Sequence, residues 1–182
     1  AKVELVSTPE QVSVGDFLVL PGVGAFGDGM AGLREQGLVE PILEWIKADK
    51  PFLGICLGMQ LLLSSSEEFG NHEGLGVIPG EVKRLPSGTE YRVPNIGWHT
   101  LQSLENWKDT VLDGISSNKD MYFVHSYAAY PEDSAHWLAR TVLGEHEFCS
   151  LLRKGNVFGC QFHPEKSGGA GLSILDNFLH LS

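Results

Sequence analysis

Pro51-Phe-Leu-Gly-Ile-Cys-Leu-Gly-Met-Gln-Leu-Leu-Leu63 joins an unbroken apolar run to a helical pattern, with one glycine-bracketed cysteine between them. An apolar run without alternation is the signature of a strand buried on both faces, as in a parallel sheet. Leu57 to Leu63 reads as the helix that follows. Working outward, Asp16-Phe-Leu-Val-Leu20 reads as another buried parallel strand, ended by Pro21-Gly22. Val39, Ile42, Leu43 and Ile46 recur at i, i+3, i+4, i+7, which is one face of a helix. This βαβα order predicts an α/β fold with a mostly parallel central sheet flanked by helices.

Further along, strand-like pieces dominate: Gly80-Glu-Val-Lys-Arg-Leu85, Met121 to Tyr127, Trp137 to Leu143, Phe148 to Arg153 and Val157 to Phe162. Leu172, Leu175 and Leu179 mark a closing helix. A smaller, strand-rich second half is therefore expected. Neither repeats nor a linker divide the 182 residues, so one domain spanning 1–182 is expected.

Composition excludes several classes. A net charge of −10 argues against nucleic acid, whose phosphates call for a basic footprint. The three cysteines, Cys56, Cys149 and Cys160, are an odd set without paired spacing and read as reduced thiols of a cytoplasmic protein. No apolar run reaches the length of a membrane span. Histidines and cysteines lack metal-ligand spacing, so neither a metal nor another cofactor is expected.

Gly54-Ile-Cys-Leu-Gly58, between strand and helix, has the form of a nucleophile elbow with Cys in the place of Ser. The glycines permit the tight turn, and a helix N-terminus beside the thiol favours the thiolate. The bland alternative is a buried structural cysteine. His163-Pro-Glu165 supplies a base and a carboxylate to orient it, and in extended backbone residues i and i+2 point to one side. Gly22-Val-Gly-Ala-Phe-Gly27 fits a dinucleotide fingerprint, but the acidic residue expected about 20 positions on is replaced by Glu40 and Glu44 of the helix. Such a loop can equally bring backbone N–H groups to a developing anion. His125, in an apolar strand, reads first as a hydrogen-bonded core histidine; His99 reads as a surface residue.

Gly-Ile-Cys-Leu-Gly-Met-Gln and Phe-His-Pro-Glu together resemble class I, triad-type glutamine amidotransferases, with their three-layer α/β fold. Leu20-Pro-Gly-Val-Gly-Ala-Phe26, Gly74-Leu-Gly-Val-Ile-Pro-Gly80, Tyr122-Phe-Val-His-Ser-Tyr127 and Gln161-Phe-His-Pro-Glu-Lys-Ser167 resemble, within that class, the glutaminase subunits of imidazole glycerol phosphate synthases of histidine biosynthesis. The resemblance implies that Cys56 attacks the glutamine amide, His163 moves the proton and Glu165 orients it. It implies an oxyanion hole from Leu57 with Val23 or Gly24. Gly24, Gln60, Glu68, His125, Ser126 and Tyr127 match positions lining the glutamine pocket. Pro94 and Trp98 match a segment facing a (β/α)8-barrel cyclase subunit, which receives the ammonia in a heterodimer. The family opens with a strand, a Gly-Asn loop and a helix upstream of the position of Ala1, so that unit is expected to be absent here. His99 stands where the family commonly has Asn. The competing expectations are a glutaminase serving another synthase, such as that of pyridoxal phosphate biosynthesis, an inactive docking protein, and a cysteine peptidase of similar fold.

Overall fold

The computed structural model describes residues 1–88, 91–104 and 106–181. In chain order, α1 (Pro9–Val12) leads to β1 (Leu18–Gly22), α2 (Phe26–Glu35), α3 (Val39–Lys47), β2 (Phe52–Cys56) and α4 (Leu57–Gln60). Then come β3 (Leu63–Ser66), β4 (His72–Glu73), β5 (Ile78–Arg84), β6 (Asn95–Thr100), β7 (Gln102–Ser103), β8 (Asp120–His125) and β9 (Tyr127–Pro131). The chain closes with β10 (Trp137–Leu143), β11 (His146–Lys154), β12 (Val157–Cys160) and α5 (Gly168–Phe178).

The main sheet has six strands in the order β1-β2-β12-β11-β10-β7. β1, β2 and β12 run parallel, and the remaining pairs are antiparallel. Within this sheet, parallel pairing is confined to the three strands whose ends carry the glycine, cysteine and histidine segments. A four-stranded sheet, β4-β3-β5-β9, and a β6-β8 pair make up the strand-rich remainder.

Period-two alternation sorts the core. In β2, Phe52 faces one apolar cluster, while Leu53 and Ile55 face another; in β12, Val157 and Phe158 divide the same way. The first cluster takes α2 and α3 through Phe26, Met30, Leu33, Ile42 and Trp45; the second takes α5 through Ile174 and Phe178. Helices therefore cover both faces of the sheet.

Five expectations shift. β1 begins at Leu18, not Asp16, and is half-exposed because its only partner strand among the described residues is β2. That edge position tolerates Pro21 within the strand, since a missing N–H there breaks no ladder. The helix after Cys56 is a single turn; Leu61 to Leu63 are fully buried but feed β3, which periodicity cannot distinguish in an all-apolar run. Met121 to Tyr127 is two strands broken at Ser126, β8 pairing with β6 and β9 with β5. The closing helix is present, but it buries Gly171, Ile174 and Phe178, whereas Leu172 is 60% exposed. His99, expected at the surface, is half-buried with its ring edge-on to Phe123.

Candidate active site

Cys56 ends β2 and precedes the single turn of α4, with φ 53° and ψ −106°. For a residue with a Cβ this is a costly backbone, and such strain is characteristic of functional turns. The neighbours explain how it is held. A Cβ at Gly58 would collide with the backbone carbonyl oxygen of Leu20, and one at Gly54 would lie 2.6 Å from the carbonyl oxygen of Gly58. Both positions accept only a hydrogen, so β1, β2 and α4 close tightly around the turn.

The Cys56 thiol is 6% exposed. Its Sγ lies 4.0 Å from the Val124 carbonyl oxygen and 3.7 Å from Nε2 of Gln161. Burial pushes the thiol up to about 11; the Leu57 N–H acts against this, the Glu165 charge adds to it, and Lys166 and the Gln161 amide lower it. The helix dipole expected to activate the sulfur is small, because α4 is one turn long. At neutral pH the sulfur keeps its proton and needs a base.

His163 follows β12, with φ −99° and ψ 97° imposed by the proline after it. The expected extended run ends there, because Pro164 opens a 3-10 turn at Pro164–Lys166. That turn brings the Glu165 carboxylate back to 2.8 Å from His163 Nδ1. The pairing selects the tautomer with hydrogen on Nδ1, leaving a lone pair on Nε2, which is buried without a hydrogen-bond partner. Two further bonds fix the imidazole's backbone: His163 N–H donates to the Tyr122 carbonyl at 2.9 Å, and the Ser167 hydroxyl donates to the His163 carbonyl at 2.6 Å.

Beside the thiol lies a cleft of about 220 Å³, walled by Val23, Gly24, Cys56, Leu57, Gln60, Glu68, Val124, His125, Ser126 and Tyr127. Every residue expected in the oxyanion hole or substrate pocket is in that wall; His163 and Glu165 lie outside it, on the segment after β12. Gly24 takes φ 105°, open to glycine alone. Gln60 is buried, and its Nε2 donates to the Tyr127 carbonyl at 2.8 Å and to Oε1 of Gln161 at 2.9 Å. The His125 ring has both nitrogens engaged, Nδ1 donating to the Tyr127 carbonyl at 2.8 Å and Nε2 accepting from Asn95 at 3.0 Å. Burial holds this ring neutral, its pKa lowered to about 4. His125 therefore shapes the cleft rather than offering it a free polar atom.

Pro94 is exposed just before β6, and Trp98 is 54% exposed on it, its ring edge-on to Tyr122 at 5.8 Å. Sequence reasoning passed over Gln161, Ser167 and Asn95 as individual groups; the signal available for Gln161 was an amide within the otherwise apolar run Val157 to Phe162.

A profile of the family described as "Glutamine amidotransferase class-I" matches residues 2–181. The chain is 50% identical over 188 residues to "Imidazole glycerol phosphate synthase subunit HisH 1" of Legionella pneumophila (strain Lens), covering 100% of this chain and 88% of that protein. It is 49% identical over 177 residues to "Imidazole glycerol phosphate synthase hisHF, chloroplastic" of Arabidopsis thaliana, covering 96% of this chain and 29% of that one. A crystal structure described as a glutamine amidotransferase superposes with a TM-score of 0.72 at 22% identity, over 97% of this chain and 84% of the other.

Proposed function

The chain belongs to the class-I glutamine amidotransferase family, and from that premise we propose that it is the glutaminase subunit of an imidazole glycerol phosphate synthase. In this reading Cys56, relieved of its proton by His163, attacks the side-chain amide of glutamine. The carbonyl oxygen gathers charge opposite the Leu57 N–H, with Val23 or Gly24 supplying a second donor. His163, oriented by Glu165, passes the proton to the departing ammonia, and water then releases glutamate from the thioester. The observation that carries this is a strained, glycine-bracketed Cys56 opening onto a 220 Å³ cleft, together with a buried His163 held at 2.8 Å by the solvent-facing Glu165 carboxylate.

The ammonia acceptor is a cyclase subunit, which we propose to be a (β/α)8 barrel forming a heterodimer with this chain through the side bearing Pro94 and Trp98. Its relation to a fused synthase chain of Arabidopsis supports a partner that works beside it. Three buried, reduced cysteines suit a reducing cytoplasm, and no helix among the described residues is long and apolar enough to cross a membrane.

The test is glutamate release from glutamine by the chain alone and with the cyclase subunit plus its nucleotide substrate. Strong stimulation by that mixture is expected. Full activity alone, indifferent to the cyclase, would assign the chain to a different synthase.

A further inference from the structure

Gln161 is fully buried just beyond β12 and belongs to none of the roles assigned above. A buried primary amide must find partners for two N–H bonds and a carbonyl, so its neighbours reveal its orientation. Here the orientation is fixed from one end. The Tyr127 carbonyl can only accept, so the Gln60 group facing it at 2.8 Å is the NH₂. That same nitrogen lies 2.9 Å from the Gln161 side chain, whose atom there must therefore be oxygen. The opposite end of the Gln161 amide, 3.7 Å from Sγ of Cys56, is then necessarily its NH₂.

We propose that Gln161 is a further catalytic group, an N–H donor to the Cys56 sulfur whose polarity is set by the Tyr127 carbonyl through Gln60. The inference rests on Cys56 being the nucleophile. A carbonyl oxygen in this place would bind the thiol and hold its proton; an NH₂ favours the sulfur once His163 has taken that proton. This matters because burial works against the thiolate, and the dipole of a one-turn helix offers little compensation. It also couples two jobs: Gln60, in the cleft wall, and the nucleophile share one chain of amides, so displacing Gln60 releases the donor aimed at sulfur.

The experiment is the rate of iodoacetamide alkylation against pH for the full chain, with the labelled residue located by peptide mapping. Cys56→Ser serves as the blank. Gln161→Met keeps the length and removes the donor; Gln161→Glu keeps the shape and presents an acceptor to sulfur. Each variant is checked for cooperative thermal unfolding, and either one alone decides the matter. For Gln161→Met the profile is expected to move up by about one pH unit, a roughly tenfold slower reaction at a fixed pH below the midpoint, and Gln161→Glu moves it further. Labelling at Cys56 with an unmoved profile overturns the role of Gln161 and leaves Cys56 as nucleophile. Labelling that persists undiminished in Cys56→Ser overturns the nucleophile itself, and the inference with it.

Discussion

The Glu68 carboxylate accepts a hydrogen bond of 2.7 Å from the backbone N–H of Phe26, the first residue of α2. Helix N-termini leave such N–H groups without partners, and Ala25 at the N-cap has no side chain to supply one. A residue of the cleft wall thus caps a helix whose preceding loop carries Val23 and Gly24. Residues proposed for the substrate pocket and the oxyanion hole, distant in sequence, are thus tied together through one carboxylate acceptor.

Glu68→Ala is expected to release that loop. The loss of a charge-assisted bond at a half-buried site is of the order of 1 kcal/mol in stability. The activity loss should be larger, at least about tenfold in kcat/KM, an energy of ~1.4 kcal/mol. Glu68→Gln retains an acceptor for Phe26 and should preserve the melting temperature while weakening glutamine binding. Calorimetry and steady-state kinetics on both variants separate capping from substrate contact; equal melting losses in the two would detach the loop from this residue.

Gly58 and Gly32 give opposite expectations for the same substitution. At Gly58 a methyl meets the backbone oxygen of Leu20, which cannot swing aside, so Gly58→Ala should cost more than about 3 kcal/mol or prevent folding. At Gly32, inside α2, nothing lies within 4 Å of the added carbon. There Ala removes only chain entropy and should stabilise by roughly 0.5–1 kcal/mol. Urea midpoints measure both, and a neutral Gly58→Ala would mean that the elbow is not closed as described.

How far the sequence carried depends on how local each cause was. The elbow was legible because strand, glycine, cysteine and glycine occur within a few residues, and so was His163-Pro-Glu165. The length of the helix after Cys56 was not, because Leu61 to Leu63 are apolar whichever element they join, and their fate is set by pairing with β5. The same holds for the break at Ser126, where β8 and β9 leave for different sheets and the His125 ring spans the corner to Tyr127. Gln161 could be seen as a letter in a motif. Its direction could not, since the Tyr127 carbonyl that decides it lies across the fold.

His125 predicts an acid weakness. Its folded pKa is about 4 against an ordinary 6.5, so the unfolded chain binds more protons between those values. The sign follows: the stabilisation is complete above about pH 6.5 and is lost as pH falls towards 4, with a slope nearing ~1.4 kcal/mol per pH unit. Between pH 6.5 and 5, before most carboxylates titrate, urea midpoints should fall steadily. His125→Gln, without a titrating ring, should flatten that segment, though it starts lower. An unchanged slope would assign the loss to another group.

Cys56 and Glu165 should fail in different ways. Cys56→Ala removes the sulfur that must bond to the amide carbon, so glutamine-dependent turnover with the cyclase subunit should vanish. Turnover on added ammonia should persist, because ammonia bypasses this chain's chemistry. Glu165→Gln retains a group able to accept from Nδ1 at 2.8 Å but removes the charge that steadies an imidazolium. General acid–base assistance is worth about 10²–10⁴ in rate, and the orienting charge should account for the lower part of that range. Alkylation of Cys56 should survive in this variant, because the Glu165 charge only holds the thiol up, and removing it takes away nothing that favours the thiolate. Steady-state assays with glutamine and with ammonia, run beside alkylation, distinguish these patterns. A Glu165→Gln enzyme with undiminished glutaminase activity would remove the carboxylate from the mechanism, and a Cys56→Ala enzyme that lost both activities alike would show that the substitution had damaged the complex.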